Sequence, residues 1–281
     1  MVDSLKTHNK KAFLYPSQYS GYYREQVYTN SKCTEYSDAL IEYELAGNKF
    51  EGYLKIVASR CLKEQKDNED KNNVEIYNES KINPNEVFRY ALFTGLMEKF
   101  FPFKSLLQYN YKLEDDGTDG TKITIYPKLA NNNALYKLVL YVNDDFDLKS
   151  YSLEVPDENL HLFPEKSLLG IHVQTTGLII EASFKNAGSG IYPNFFSITK
   201  NQNIWGKFMG ATINQHVINK SQFIVSGINS SYKISFSKSE IYRKGNLCSN
   251  GRATNNSELE KYTIIKQTAK DSISISTLKP L

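Results

Sequence analysis

This 281-residue chain has no apolar run long enough to cross a bilayer as a helix, and Met1 leads into polar VDSLKTHNKK rather than an export signal. The expectation is either a cytoplasmic protein or a piece excised from an exported one. An excess of one charge is also missing. The 34 basic and 31 acidic residues leave a net charge of +3, spread along the chain, which excludes the basic stripe of a nucleic-acid binder. The four histidines, His8, His161, His172 and His216, fall in no HxxE or HExxH spacing, and Pro164 argues against a helical His161–Glu165 pair. GxSxG, a phosphate-binding loop and a dinucleotide fingerprint are all absent, and Gly188-Ser189-Gly190 reads as a turn. No catalytic residue, metal ligand or cofactor is therefore assigned, and an enzyme is not the expected class. The three cysteines, Cys33, Cys61 and Cys248, match no zinc or CxxC pattern. They are expected to be ordinary thiols, with a Cys33–Cys61 disulfide as the alternative.

What the chain does have is aromatic residues, 20 tyrosines and 15 phenylalanines, and one strong helix signal. In Asn83–Phe101 (NPNEVFRYALFTGLMEKFF), Asn83 caps the first turn, Pro84 suits the first helical position and Glu86 completes a capping-box-like pattern. Phe88, Ala91, Leu92, Leu96 and Phe100 form an apolar stripe at spacings of three and four, widened by Val87, Phe93 and Met97. A helix so apolar must be wrapped by the rest of the fold.

The rest reads as strands. Ser20–Thr29, Cys33–Leu45 and Phe50–Arg60 open the series after a short helix over Asp3–Lys11. In the second, Ser37, Ala39, Ile41, Tyr43 and Leu45 face one way, and Tyr36, Asp38, Leu40, Glu42 and Glu44 form a wet face. Leu135–Asn143 and Leu148–Val155 make a hairpin with Leu138, Leu140, Val142, Tyr151, Leu153 and Val155 on its buried side. Gly177–Lys185, Ile191–Lys200, Ala211–Ile218, Gln222–Ile228 and Ser231–Tyr242 follow, with Tyr262–Lys266 and Ile273–Ile275 weak. Short turns between strands imply antiparallel pairing. The fold class is α+β, mainly β: a large curved antiparallel sheet, a half-barrel, wrapped over a buried helix. Residues 1–242 form one domain with its central helix over 84–101, and residues 243–281 form a partly irregular C-terminal extension.

Particular residues also point to a family. Tyr22-Tyr23-Arg24-Glu25 resembles the "FYRE" strand of a domain found in Bacteroidota envelope proteins downstream of carboxypeptidase-regulatory-like domains. Tyr36–Tyr43 resembles the strand that comes after it there, with Asp38 in place of the usual glutamate. Ile123–Lys128 and Ala134–Val155 look like that family's later hairpin, with Lys137 replacing a glycine and Asn143 an aspartate. By analogy the layout is similar to the lipoprotein carriers LolA and LolB, whose concave face holds acyl chains. The resemblance implies a periplasmic or outer-membrane setting and an excised piece.

By strand alternation Tyr22, Arg24 and Gln26 share one face and are the candidate ligand-binding residues, Arg24 for a lipid phosphate or a carboxylate. An ion pair of Arg24 with Asp38 or Glu42 on the neighbouring strand is the structural alternative. Trp205 is expected to fill a core. The functional expectation is a non-catalytic envelope module binding lipid or lipoprotein acyl chains in the concave sheet. Its rival is a module that presents a sheet face or edge to another envelope protein.

Overall fold

The computed structural model describes residues 18–46, 51–64, 82–117, 120–131, 133–187, 190–208, 210–229, 236–237, 239–242, 247–250, 259 and 275–280. The expected Asp3–Lys11 helix and Tyr262–Lys266 strand lie outside the described residues. Three strands come first: β1 (Gln18–Thr29), β2 (Lys32–Ala46) and β3 (Glu51–Lys63). Helices α1 (Pro84–Ala91), α2 (Phe93–Phe100) and α3 (Phe103–Leu106) come next. Then come β4 (Tyr109–Asp115), β5 (Gly120–Pro127), β6 (Lys137–Asn143), β7 (Leu148–Glu154) and, after a 3-10 turn, β8 (Lys166–Leu168). The long strands β9 (Ile171–Ala187), β10 (Gly190–Phe208) and β11 (Ala211–Asn229), a single turn α4 (Leu247–Asn250) and β12 (Lys279–Pro280) complete the chain. All pair antiparallel in one open sheet ordered β12-β3-β2-β1-β11-β10-β9-β7-β6-β5-β4, with β8 on the lower half of β9.

The sheet must curve. From β3 to β4 there are nine inter-strand spacings, roughly 43 Å if laid flat at ~4.8 Å each. Yet Leu54 of β3 and Tyr109 of β4 belong to one hydrophobic core with α1 and α2. A helix is only about 10–12 Å across with its side chains, so strands that far apart can share it only by bending around it. Tyr43 stacks on Phe88 at 4.4 Å, Phe223 meets the same ring edge-on at 4.4 Å, and Phe93 faces Tyr151 at 6.4 Å. The half-barrel expected from the strand pattern is the fold observed.

The central helix over 84–101 is not continuous. Asn83 caps it as predicted, accepting from the Asn85 N–H at 3.0 Å, and Pro84 stands at its first position. At Leu92 the backbone turns extended (φ −80°, ψ 116°) and α2 begins afresh. The break brings Gly95 against the Arg89 carbonyl, where any Cβ would collide. Across the two helices Val87, Phe88, Tyr90, Ala91, Leu92, Phe93, Leu96, Met97 and Phe100 are all buried, a set that would surround a straight helix rather than form a single stripe.

The β6–β7 hairpin is as predicted: Leu138 faces Leu153 and Leu140 faces Tyr151, all buried. Its turn is tied by Asn143, whose side-chain oxygen accepts the Asp147 N–H at 2.7 Å. Other expectations are corrected. Ala211–Ile218 and Gln222–Ile228 are one strand of 19 residues. The described part of Ser231–Tyr242 makes only a bridge, Lys55 to Ile241, and Ile275 sits in a helical turn rather than a strand.

The cysteines differ as well. Cys61 is bonded to Cys248, Cα atoms 5.3 Å apart, while Cys33 is a buried thiol donating to the Glu35 carbonyl. The pairing joins positions 187 residues apart, which spacing alone does not suggest. It fastens the C-terminal extension to β3. Tyr242 N–H donates to the Leu54 carbonyl at 2.7 Å, Leu247 enters the main core, and β12 adds to the edge of β3. The described residues of this stretch thus dock on the sheet. No helix among the described residues is long and apolar enough to cross a membrane.

Candidate functional site

Strand alternation brings Tyr22, Arg24 and Gln26 to one face, as the sequence predicts, but it is the outer face, away from the helices. The inner face of β1 carries Tyr19 and Tyr23, which join the helix core. Nor is the outer face of β2 wet here, since Tyr36 and Asp38 are fully buried. Asp38 accepts from Tyr22 Oη (2.7 Å), Tyr36 Oη (3.0 Å), Arg60 Nε (3.1 Å) and Arg60 Nη2 (2.6 Å). That fork is the two-pronged geometry a guanidinium favours. Burial opposes the charge on Arg60, but the Asp38 bonds hold its pKa above the usual range. Burial, with Asp38 adjacent, also raises the Tyr22 hydroxyl.

Arg24 lies opposite Asp38 in register, only 4% exposed, and donates to the side-chain carbonyl of Gln222 on β11. Gln26 donates to Tyr28 Oη at 3.0 Å. Ile275 and Leu278 close over the neighbouring Tyr36. This outer cluster is densely bonded and buried.

The inner face divides in two. Its upper half is the aromatic core around α1 and α2. Below it, register sets out successive cross-strand rows. Glu25 faces Ser221, which faces Ile198. The next row runs Val27, Asn219, Lys200, Leu178, and the next Val217, Gln202, Thr175. Beyond these rows Ile171, Ile204 and Ile213 turn the face apolar again and cluster with Val27 and Val217 of the rows themselves, with partly buried Val173 and Phe208 against them.

The polar belt is only partly satisfied. Glu25 accepts Tyr23 Oη (2.9 Å), Ser37 Oγ (3.1 Å) and the Leu247 N–H (3.2 Å), and burial still pushes its carboxyl up to about 7. Asn219 is 3% exposed, and neither its side-chain oxygen nor its nitrogen has a hydrogen-bond partner. Gln202 is 4% exposed, with its side-chain oxygen likewise unpartnered. Burial lowers the pKa of the Lys200 amine; nearby Lys166 lowers it further, and Glu86 at the start of α1 acts in the opposite direction. Orphaned amide groups inside a protein cost about 1–3 kcal/mol each unless something else bonds them.

Sequence reasoning missed this belt. The signal was present in Ile198, Lys200, Gln202 and Ile204, alternate residues of one strand, but it is visible only once β10 is known to run on past Lys200.

Two cavities lie elsewhere. One of about 460 Å³ on the outer side is lined by residues including Thr124, Tyr126, Lys137 and Glu158. The other, about 650 Å³, sits by the β4–β5 edge around Leu113, Glu114, Asp115 and Asp144. Trp205 is half-buried and stacks on His172 at 5.5 Å rather than filling a core. His172 Nδ1 sits 2.5 Å from Glu165, and no group of three or more metal-ligating side chains gathers among the described residues.

No protein-family model and no curated protein matches the chain. Solved structures similar to it include lipovitellin, described for its lipid–protein interactions (11% identity, TM-score 0.34); the match covers 80% of this chain and 26% of that one. The chain thus spans about a quarter of lipovitellin's length. A putative outer membrane lipoprotein-sorting protein domain from Vibrio parahaemolyticus matches at 9% identity and TM-score 0.31, over 83% of this chain and 92% of that one. A LolA superfamily protein from Nitrosomonas europaea matches at 10% identity and TM-score 0.28, over 80% and 91%. At such scores these likenesses carry no functional weight; the side chains of the inner face carry it.

Proposed function

We propose that this chain is a non-catalytic module of the cell envelope, periplasmic or at the outer membrane, that holds a lipid or lipoprotein acyl chain against the inner face of its sheet. One observation carries the reading. Below the helix-filled core, the inner face carries a second, buried apolar cluster interleaved with a belt of incompletely bonded polar side chains. Apolar side chains with a few convergent polar groups are the ordinary lining of a small-molecule site, and here they are closed on one another, 0–7% exposed, until a ligand parts them. The bonded outer cluster of Tyr22, Arg24 and Gln26 is assigned to stability in this reading, and ligand contact to the inner face.

Native mass spectrometry with organic extraction tests it, on protein purified from membrane-containing host cells. A lipid retained in fixed stoichiometry supports the proposal. A clean mass that stays clean after incubation with envelope lipids overturns it.

In that event the interaction module is the better reading, and a specific feature favours it. Strand β4 is the end of the strand order, and its inner-facing Tyr111 and Leu113, opposite buried Ile125 and Ile123, are 47% and 57% exposed. An open edge with apolar side chains is a ready template for another strand.

A further inference from the structure

The polar belt has a chemical character that the acyl-chain reading does not use. Lys200 and Asn219 are direct cross-strand partners, and Gln202 comes next after Lys200 on the same face. Directly opposed residues on one face stand with Cβ atoms about 4.5–5.5 Å apart, so their polar ends reach a common point. The Lys200 amine has no hydrogen bond or ion pair among the described residues, and a second ammonium, Lys166, is close enough to act on it. Asn219, nearly fully buried, offers an unused N–H₂ and an unused carbonyl. Amines and amide N–H groups left without acceptors in a shielded place fit an oxyanion, and a positive charge held there without a partner is otherwise costly.

We infer that Lys200, Asn219 and Gln202 form a head-group subsite for an anionic single-chain amphiphile, whose carboxylate or phosphate sits on the belt and whose tail enters by parting Val27, Val217, Ile204 and Ile213, which are packed on one another and buried in the ligand-free fold. This rests on the acyl-chain reading above and adds the ligand's class to it. Glu86 does not compete for the same pocket by direct contact: no ion pair joins it to Lys200, and its field only moderates the local positive potential. The order of rows sets the ligand's direction, head on the side from which Glu86 of α1 acts on Lys200 and tail toward the β10–β11 turn.

The test is isothermal titration of the whole chain with three C12 probes below their micelle concentrations: dodecanoate, dodecyl phosphate and neutral dodecyl maltoside. The expected result is that one or both anionic probes bind at least about tenfold more tightly than the maltoside, about 1.4 kcal/mol. The tighter of the two anions identifies carboxylate or phosphate as the natural head. Lys200→Met, which keeps the length of the stem and removes the charge, should abolish the preference while maltoside binding stays within about twofold.

A second variant, Asn219→Leu, should weaken the anionic probes alone. Equal binding of all three probes overturns the head-group inference and leaves the acyl-chain reading standing, the belt then holding only ordered water. A preference that survives Lys200→Met also overturns it. No binding of any probe overturns both readings.

Discussion

The upper and lower halves of the inner face are built from the same strands, yet they meet opposite requirements. Above, Tyr23, Phe223, Phe196 and Tyr151 close on α1 and α2, and the aromatic residues fill the space. Below, the same strands present Glu25, Asn219, Lys200 and Gln202, several of them short of partners. Stability resides in the first half. The second half gives up stability for polar groups held ready, a pattern expected of a site rather than of a core.

The largest test of this contrast is Phe88→Ala. The ring touches Tyr43, Tyr23 and Phe223, so its loss opens a cavity that three strands and a helix cannot refill. Denaturant unfolding should show a loss of about 3–5 kcal/mol. A loss below about 1 kcal/mol would mean that the upper half is as loosely built as the lower.

The boundary between the halves is pH-sensitive. The Glu25 carboxyl lies near 7 in the fold, chiefly through burial, against 4.5 when exposed. The folded state therefore binds the proton more tightly than the unfolded state does. The contribution of Glu25 to stability is fully present below about 4.5 and is lost, by about 3 kcal/mol, as pH rises from there through 7, at 1.36 kcal/mol per pH unit. Glu25→Gln should flatten this slope in unfolding curves measured from about pH 5 to 8. A slope unchanged in the variant would place its origin in another group.

Arg24→Ala compares the outer face of β1 with the inner. It removes the donor to Gln222 within a buried cluster and should cost about 2 kcal/mol by thermal unfolding. Capture of a C12 amphiphile should be unaffected. Weaker capture with unchanged stability would return Arg24 to the ligand-contact role its sequence suggests.

The smallest expected effect has the opposite sign. Asn219→Leu replaces two unpartnered buried polar atoms by an apolar side chain of similar size. In ligand-free protein it should raise stability by about 1 kcal/mol. Destabilisation there would remove the contrast between the halves.

The strand pattern and the apolar stripe of Asn83–Phe101 were enough to specify a curved antiparallel sheet around helices, because alternation and a 3.6-residue period are properties of short segments. The β6–β7 hairpin and the Asn83 cap were legible for the same reason. The break at Leu92 was not, since it depends on where Phe93 and Leu96 must point to reach strands distant in sequence. Alternation placed Tyr22, Arg24 and Gln26 on one face but could not say which face, because Tyr22-Tyr23 offers an aromatic residue to each side.

The candidate site was the least legible part. Lys200, Asn219 and Gln202 are ordinary polar residues of two strands, and register alone sets them beside one another on the face that curves inward. The sequence by itself determined the elements and their alternating faces, which local sterics and hydrophobicity dictate. Only the tertiary structure decided which face closed over the helices, that Cys61 meets Cys248, and which buried polar groups were left without partners. Those outcomes depend on contacts between residues far apart along the chain, which no local pattern encodes.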